Sequence, residues 1–242
     1  MIAFLLAFWE LAGYGSGSTA IFFPPPSAVA VKAGKLLGEG ALHPHLFSTF
    51  GRVAGGLCLG GIPGLVLGLI MGWSRRVRGF LDPLVSALHA IPKTAVFPLF
   101  LIFFGIGEAS KLVLVAASVF FPLLINSAAG VRQISPVHFE VAHAYGASRL
   151  AILRRVVLPG SLPLILAGVR VSVNMALVIT IAVELISAQS GLGAMIWFSW
   201  QVLAIEDLYV ALTVAALLGI VSAALLRRLE KLLVPWIQEK EI

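Results

Sequence analysis

Five stretches of about 20 mostly apolar residues, with a shorter sixth at the N-terminus, leave this chain few ways to fold. A run of that length is what an α-helix needs to cross a bilayer, where lipid offers no hydrogen bonds and every backbone group must be satisfied within the segment. The stretches lie near Ile2 to Tyr14, Phe50 to Trp73, Val85 to Phe104, Leu112 to Val131, Leu162 to Ile186 and Tyr209 to Leu226. Of the 242 residues 60% are hydrophobic and 12% charged, against roughly 25% charged in an ordinary soluble domain. The expectation is an all-α polytopic membrane protein: one transmembrane domain over residues 1–242 with about six spans and no soluble domain. The first stretch has no basic n-region and no small-residue cleavage site, so it does not read as a signal peptide. It is expected to be a thin or tilted helix, or the remainder of one that starts upstream of Met1.

The net charge is +6, but the basic residues sit in small clusters between apolar stretches, the pattern of cytoplasmic loops rather than of a nucleic-acid surface. With the N-terminus inside, the inner segments carry Arg75, Arg76, Arg78, Arg132, Arg149, Arg154, Arg155, Arg227, Arg228, Lys231 and Lys240. The outer segments carry Lys32, Lys35 and Lys111, with Arg52 at a span edge, and collect Glu39, Glu108, Glu206 and Asp207. Both termini are therefore expected in the cytoplasm. Between the first two spans, Pro24-Pro25-Pro26 stops any helix and Ser27 is placed to cap a short surface helix after it.

Catalytic chemistry is not legible. Cys58 is alone in an apolar run, which gives neither a disulfide nor a metal pattern. The five histidines show no HExxH spacing, and no serine or cysteine sits in a nucleophile elbow. No phosphate-binding loop is present, since Gly34-Lys35 is followed by Leu36 without the upstream glycine. The chain is expected to be no enzyme and to hold no metal or cofactor, with any ATP bound by another polypeptide.

The longest inner connection, residues 132–161, reads as two short helices. Ser135-Pro136 starts the first, Gly146 ends it in a left-handed turn, Ser148 caps the second and Pro159 stops it. In the second, Leu150, Leu153, Val156 and Val157 form an apolar face away from Arg149, Arg154 and Arg155. Two readings fit: a knob gripped by a soluble partner, or an amphipathic segment whose arginines meet anionic lipid headgroups.

Glu140-Val141-Ala142, then Gly146, then Val156 and Leu158-Pro159 resemble the EAA loop of bacterial ABC import permeases, with Val141 and Val156 as mild departures. Pro92-Lys93-Thr94-Ala95, Pro98-Leu99 and Phe104-Gly105-Ile106-Gly107 share the resemblance, as do Glu184 and Ser190-Gly191-Leu192-Gly193. Over roughly residues 20 to 235 the chain is similar to the nitrate, sulfonate and taurine branch. The resemblance implies a type I importer permease fold with cytoplasmic coupling helices, in a bacterial inner membrane. It implies two copies of an ATPase subunit, a second permease subunit and an extracytoplasmic solute-binding protein; a chain of this size with no sister permease inside it suggests a homodimer, with a heterodimer as the alternative. By position, Glu140, Ala142, Gly146, Val156, Leu158 and Pro159 would contact the ATPase or shape the loop. The solute would be a small anion; a thiamine-precursor-like solute and a secondary transporter stay as alternatives, the latter without the internal repeats it commonly shows.

Ionisable groups inside a span are costly enough to mark a pathway or a pair. Lys93, Arg170 and Glu184 qualify, and Asn174 joins them as a polar group at depth. Lys93 follows Pro92 in a stretch expected to kink, where freed carbonyls could face a polar route. Each of the four is a candidate for the solute path, with snorkelling, pairing or interhelical hydrogen bonding as the competing role.

Overall fold

The computed structural model describes residues 2–14 and 22–236, all helices, turns and short connections, with no strand among them. We number the helices α1 (Ile2–Gly13), α2 (Pro26–Gly38), α3 (His43–Trp73), α4 (Arg75–Ala90), α5 (Lys93–Phe104), α6 (Glu108–Arg132), α7 (Pro136–Ala144), α8 (Arg149–Ser187), α9 (Leu192–Gln201) and α10 (Ile205–Leu233). Lys240 falls outside the described residues. Four helices, α3, α6, α8 and α10, are long and apolar enough to cross a membrane, and α4 with α5 would make a fifth span broken by 83°. The first expected span is present as the 12 residues of α1, about 18 Å of helix against the ~30 Å of a hydrocarbon core.

Two features run against the sequence expectations. Pro159 does not stop a helix: α8 runs through it for 39 residues. The reason is the π turn at Leu153–Val157 immediately before it; the widened turn relieves the clash that a proline ring makes with the carbonyl four residues back. The same device recurs in α3, where a π turn at Leu57–Gly61 precedes Pro63. Ser27, expected as a cap, lies inside α2, whose N-cap is Pro25. The Glu10 carboxylate takes that part instead, accepting from the Ser27 N–H at 3.0 Å and from its hydroxyl at 2.6 Å.

The chain forms two compact units. One comprises residues 1–52 and 180–220, the other 53–179 and 221–242. The first has a core of Val29, Leu42, Leu192, Met195, Val210 and Ala211, with Trp9 and Tyr209 packed against it. Within it the Asp207 carboxylate, 3.0 Å from the Lys32 ammonium, holds that ammonium above its ordinary pKa against a smaller opposing effect of burial. The second unit is organised on α6, against which α3 lies so closely that a Cβ at Gly60 would overlap the Ala116 carbonyl and one at Gly64 would stand 2.5 Å from the Phe120 carbonyl. Helices that associate in lipid do so through such small residues, because burial of apolar surface gives no driving force there.

Candidate coupling and translocation sites

The EAA-like residues lie on α7 and the first turns of α8. Pro136 occupies the first position of α7, where its missing N–H costs nothing. At the other end the Gly146 N–H donates to the His143 carbonyl at 2.9 Å and the Ala147 N–H to the Ala142 carbonyl at 3.0 Å, a Schellman close. Gly146 takes φ 68°, the left-handed turn its sequence position predicts. Ser148 then caps α8, accepting from the Ala151 N–H at 3.3 Å.

The chain turns inward and outward at defined residues. Ala142, Leu153 and Val156 pack with Phe139 on a buried core of Val131, Ile152 and Val157. Ile152 and Val157 are five apart, the repeat of the π turn they flank, so the buried face differs from the expected one and Leu150 is left exposed. Pro159 is half-buried and Leu158 is exposed. Facing out from α7 are Glu140 and, at helical spacing, Val137, Val141 and Tyr145, the last 87% exposed. No side chain of α7 is buried, which leaves an apolar stripe with one carboxylate beside it.

Lys93 sits at the break between α4 and α5, as the sequence places it. Its ammonium donates to three carbonyls, those of Leu88 at 3.0 Å, His89 at 2.7 Å and Ile91 at 2.7 Å. These are carbonyls freed by the break, and an ammonium has three hydrogens to give. It also lies 4.8 Å from the centre of the Phe121 ring, within cation–π reach. Lys93 therefore works as a staple. Lys93→Met is expected to leave those carbonyls without their donor and to cost about 1.5–3 kcal/mol, the range for a hydrogen-bonded charge, while Lys93→Arg retains most of the stability. Thermal denaturation of the two variants in detergent checks this: equal midpoints would contradict it.

Arg170 is ion-paired with Glu230 of α10, a partner the sequence did not suggest. Asn174 is exposed on α8, with Val171, Met175 and Val178 exposed around it. Glu184 is fully buried. Its carboxylate accepts from Arg52 at 2.6 Å, from the Thr49 hydroxyl at 2.9 and 3.0 Å, and from the Gly193 N–H at 2.9 Å at the start of α9. Arg52 also donates to the Ser190 carbonyl at 2.6 Å, and the Thr49 hydroxyl accepts from the Leu192 N–H at 2.9 Å. Gly191, at φ 118°, lies so close that a Cβ there would overlap the carboxylate. The constellation ties α3, α8 and the turn into α9 within one unit. Thr49 is not noted from sequence, Arg52 only as a basic residue at a span edge and Ser190 only within the motif at 190–193, although Thr49 and Arg52 stand three apart, on one helix face.

The structure thus brings the EAA-like residues together at one end of α8, and gives Lys93, Arg170 and Glu184 separate surroundings. Comparison with known proteins identifies the family. Residues 64–239 match the family model described as binding-protein-dependent transport system inner membrane component. The chain is 34% identical to the taurine transport system permease protein TauC of Escherichia coli, over 97% of this chain and 87% of that one. It is 33% identical to the putative aliphatic sulfonates transport permease protein SsuC of Bacillus subtilis, over 97% and 85%. It is also 34% identical to the riboflavin transport system permease protein RibX of Chloroflexus aurantiacus, over 96% and 87%. With a family match over most of its length and an apolar helical fold to carry it, the chain belongs to the binding-protein-dependent transport inner-membrane components, as the permease subunit of an ATP-binding-cassette importer.

Proposed function

We propose that this permease imports a small sulfonate or related anion, in the manner named for two of its relatives, and that separate ATPase subunits drive it through α7. The observation that carries the coupling is the exposed stripe of Val137, Val141 and Tyr145 beside Glu140, on a helix closed at its C-terminal end and packed on the core through Phe139 and Ala142. An apolar face outside the bilayer calls for a partner, and a lone carboxylate beside it gives that partner a polar register point. Helix α8, about 58 Å long from its 39 residues, exceeds a ~30 Å hydrocarbon core by enough to carry α7 clear of the lipid. The arginines at the start of α4 (Arg75, Arg76, Arg78) and near the start of α8 (Arg154, Arg155) favour the cytoplasmic side for this end. Val141→Asp is expected to reduce co-purification with the ATPase subunit at least about tenfold, as a charge placed in an apolar contact does. Unchanged recovery of the complex would end the coupling reading of α7.

A second permease copy is supported by Asn174. An amide among Val171, Met175 and Val178 on a bare helix face is costly against lipid, but not against a facing copy or a wet path. Asn174→Cys is expected to form a disulfide dimer in membranes under mild oxidation; a persistent monomer there would argue against that face. Lys93 and Arg170 are both engaged, so the choice of solute falls to the outer binding protein. That the relatives' names span taurine, sulfonates and riboflavin at similar identity supports this division of labour.

A further inference from the structure

At the root of α7 lies a cavity of about 260 Å³ lined by Trp73, Phe139, His143, Arg149 and Ile152, all within one compact unit. Two of the five lining side chains are basic and none is acidic. Among the described residues neither the Arg149 guanidinium nor the Trp73 indole N–H has a hydrogen-bond or ion-pair partner. His143 holds its Nδ1 2.6 Å from the Phe139 carbonyl; a carbonyl only accepts, so the proton is on Nδ1 and Nε2 is left for another contact. The remaining walls, Phe139 and the buried Ile152, are apolar.

We propose that this cavity is an oxyanion site, which holds one phosphate- or sulfonate-type head group against Arg149, the Trp73 N–H and His143, with its apolar stem against Phe139 and Ile152. A guanidinium fork matches the paired oxygens of such a group and the indole adds a single donor, while the His143 Nε2, with the ring proton held on Nδ1, accepts from a hydroxyl of the head group. Trp73 ends α3, the place where an indole sits at headgroup level, and Arg75, Arg76 and Arg78 follow it directly. A basic pocket at the cytoplasmic end of a helical bundle is suited to an anionic lipid headgroup, and equally to a free oxyanion that reaches it from the water. Only the consequence rests on the coupling reading: a head group bound under α7 braces the helix that meets the ATPase.

The test uses the full chain purified without its ATPase, so that its outcome is independent of coupling. One arm counts phosphatidylglycerol against phosphatidylcholine retained on the protein by native mass spectrometry. The other titrates inorganic phosphate and ethanesulfonate while following tryptophan fluorescence. The site predicts saturable binding in one arm, weakened about tenfold by Arg149→Gln through loss of a charge-assisted fork. Retention of phosphatidylglycerol identifies a lipid source, and saturation by the free anions identifies a soluble one. Trp73→Phe, which keeps the apolar wall and removes one donor, is expected to weaken binding several-fold and serves if Arg149→Gln fails to fold. No saturable binding in either arm, or binding that survives both variants, overturns the proposal.

Discussion

Arg52→Met is expected to cost about 3–5 kcal/mol, the penalty for leaving a buried charge without its partner. Arg52 is 4% exposed and Glu184 not at all, so water cannot replace the guanidinium. What would remain around the carboxylate is the Thr49 hydroxyl and the Gly193 N–H, both neutral donors, and the Ser190 carbonyl would lose its donor as well. Glu184→Gln alone leaves the buried Arg52 guanidinium without its counter-charge and is expected to cost a similar amount, relieved in part because the amide oxygen can still accept from Arg52 and Gly193. The informative protein is the double variant Arg52→Met/Glu184→Gln, in which the uncompensated charge is gone. It is expected to recover part of the Arg52→Met loss, a coupling of the sign that residues in one network show. Denaturation midpoints of the four proteins in one detergent give the cycle, and additive losses would mean the pair acts as two independent groups.

Gly60→Val should be comparably damaging, by a different physics. The added Cβ would fall on the Ala116 carbonyl, a backbone atom that cannot rotate aside as a side-chain tip can. Helices α3 and α6 would have to separate, forfeiting dispersion contacts along their length, and about 3 kcal/mol is the upper range for forcing carbon into a packed interior. Gly219→Ala is the matched control. A Cβ there meets nothing within 4 Å, and removing glycine from a helix interior is worth about 0.5–1 kcal/mol in the opposite direction. If both variants moved stability the same way, close approach of α3 to α6 would not be what holds this unit together.

Much of this architecture is written locally. Long apolar runs announce α3, α6, α8 and α10, since in lipid a helix is fixed by composition and length alone. The left-handed turn at Gly146 and the break at Pro92 are legible for the same reason: each follows from what one residue type can do to a backbone. Non-local features are not. Nothing near Pro159 signals that a π turn will carry the helix through it, although the parallel case at Pro63 shows the pattern once both are seen. The Arg170–Glu230 pair joins residues 60 apart, and the Arg52–Glu184 pair joins residues 132 apart. Periodicity within one helix carries no information on such partners. Lys93 lies between these cases: its place at a broken helix is local, but only the fold shows that its three hydrogens are already spent.

The role of α7 is the claim on which the functional account turns, and ATP hydrolysis by the reconstituted transporter tests it most directly. The measurement is the rate with the permease, its ATPase and its binding protein in liposomes, for wild type and for Val141→Asp. The account predicts that liganded binding protein stimulates hydrolysis in the wild type and that the variant loses this stimulation with its membrane insertion intact. Solute uptake that proceeds without ATP, or stimulation undiminished in Val141→Asp, would contradict it.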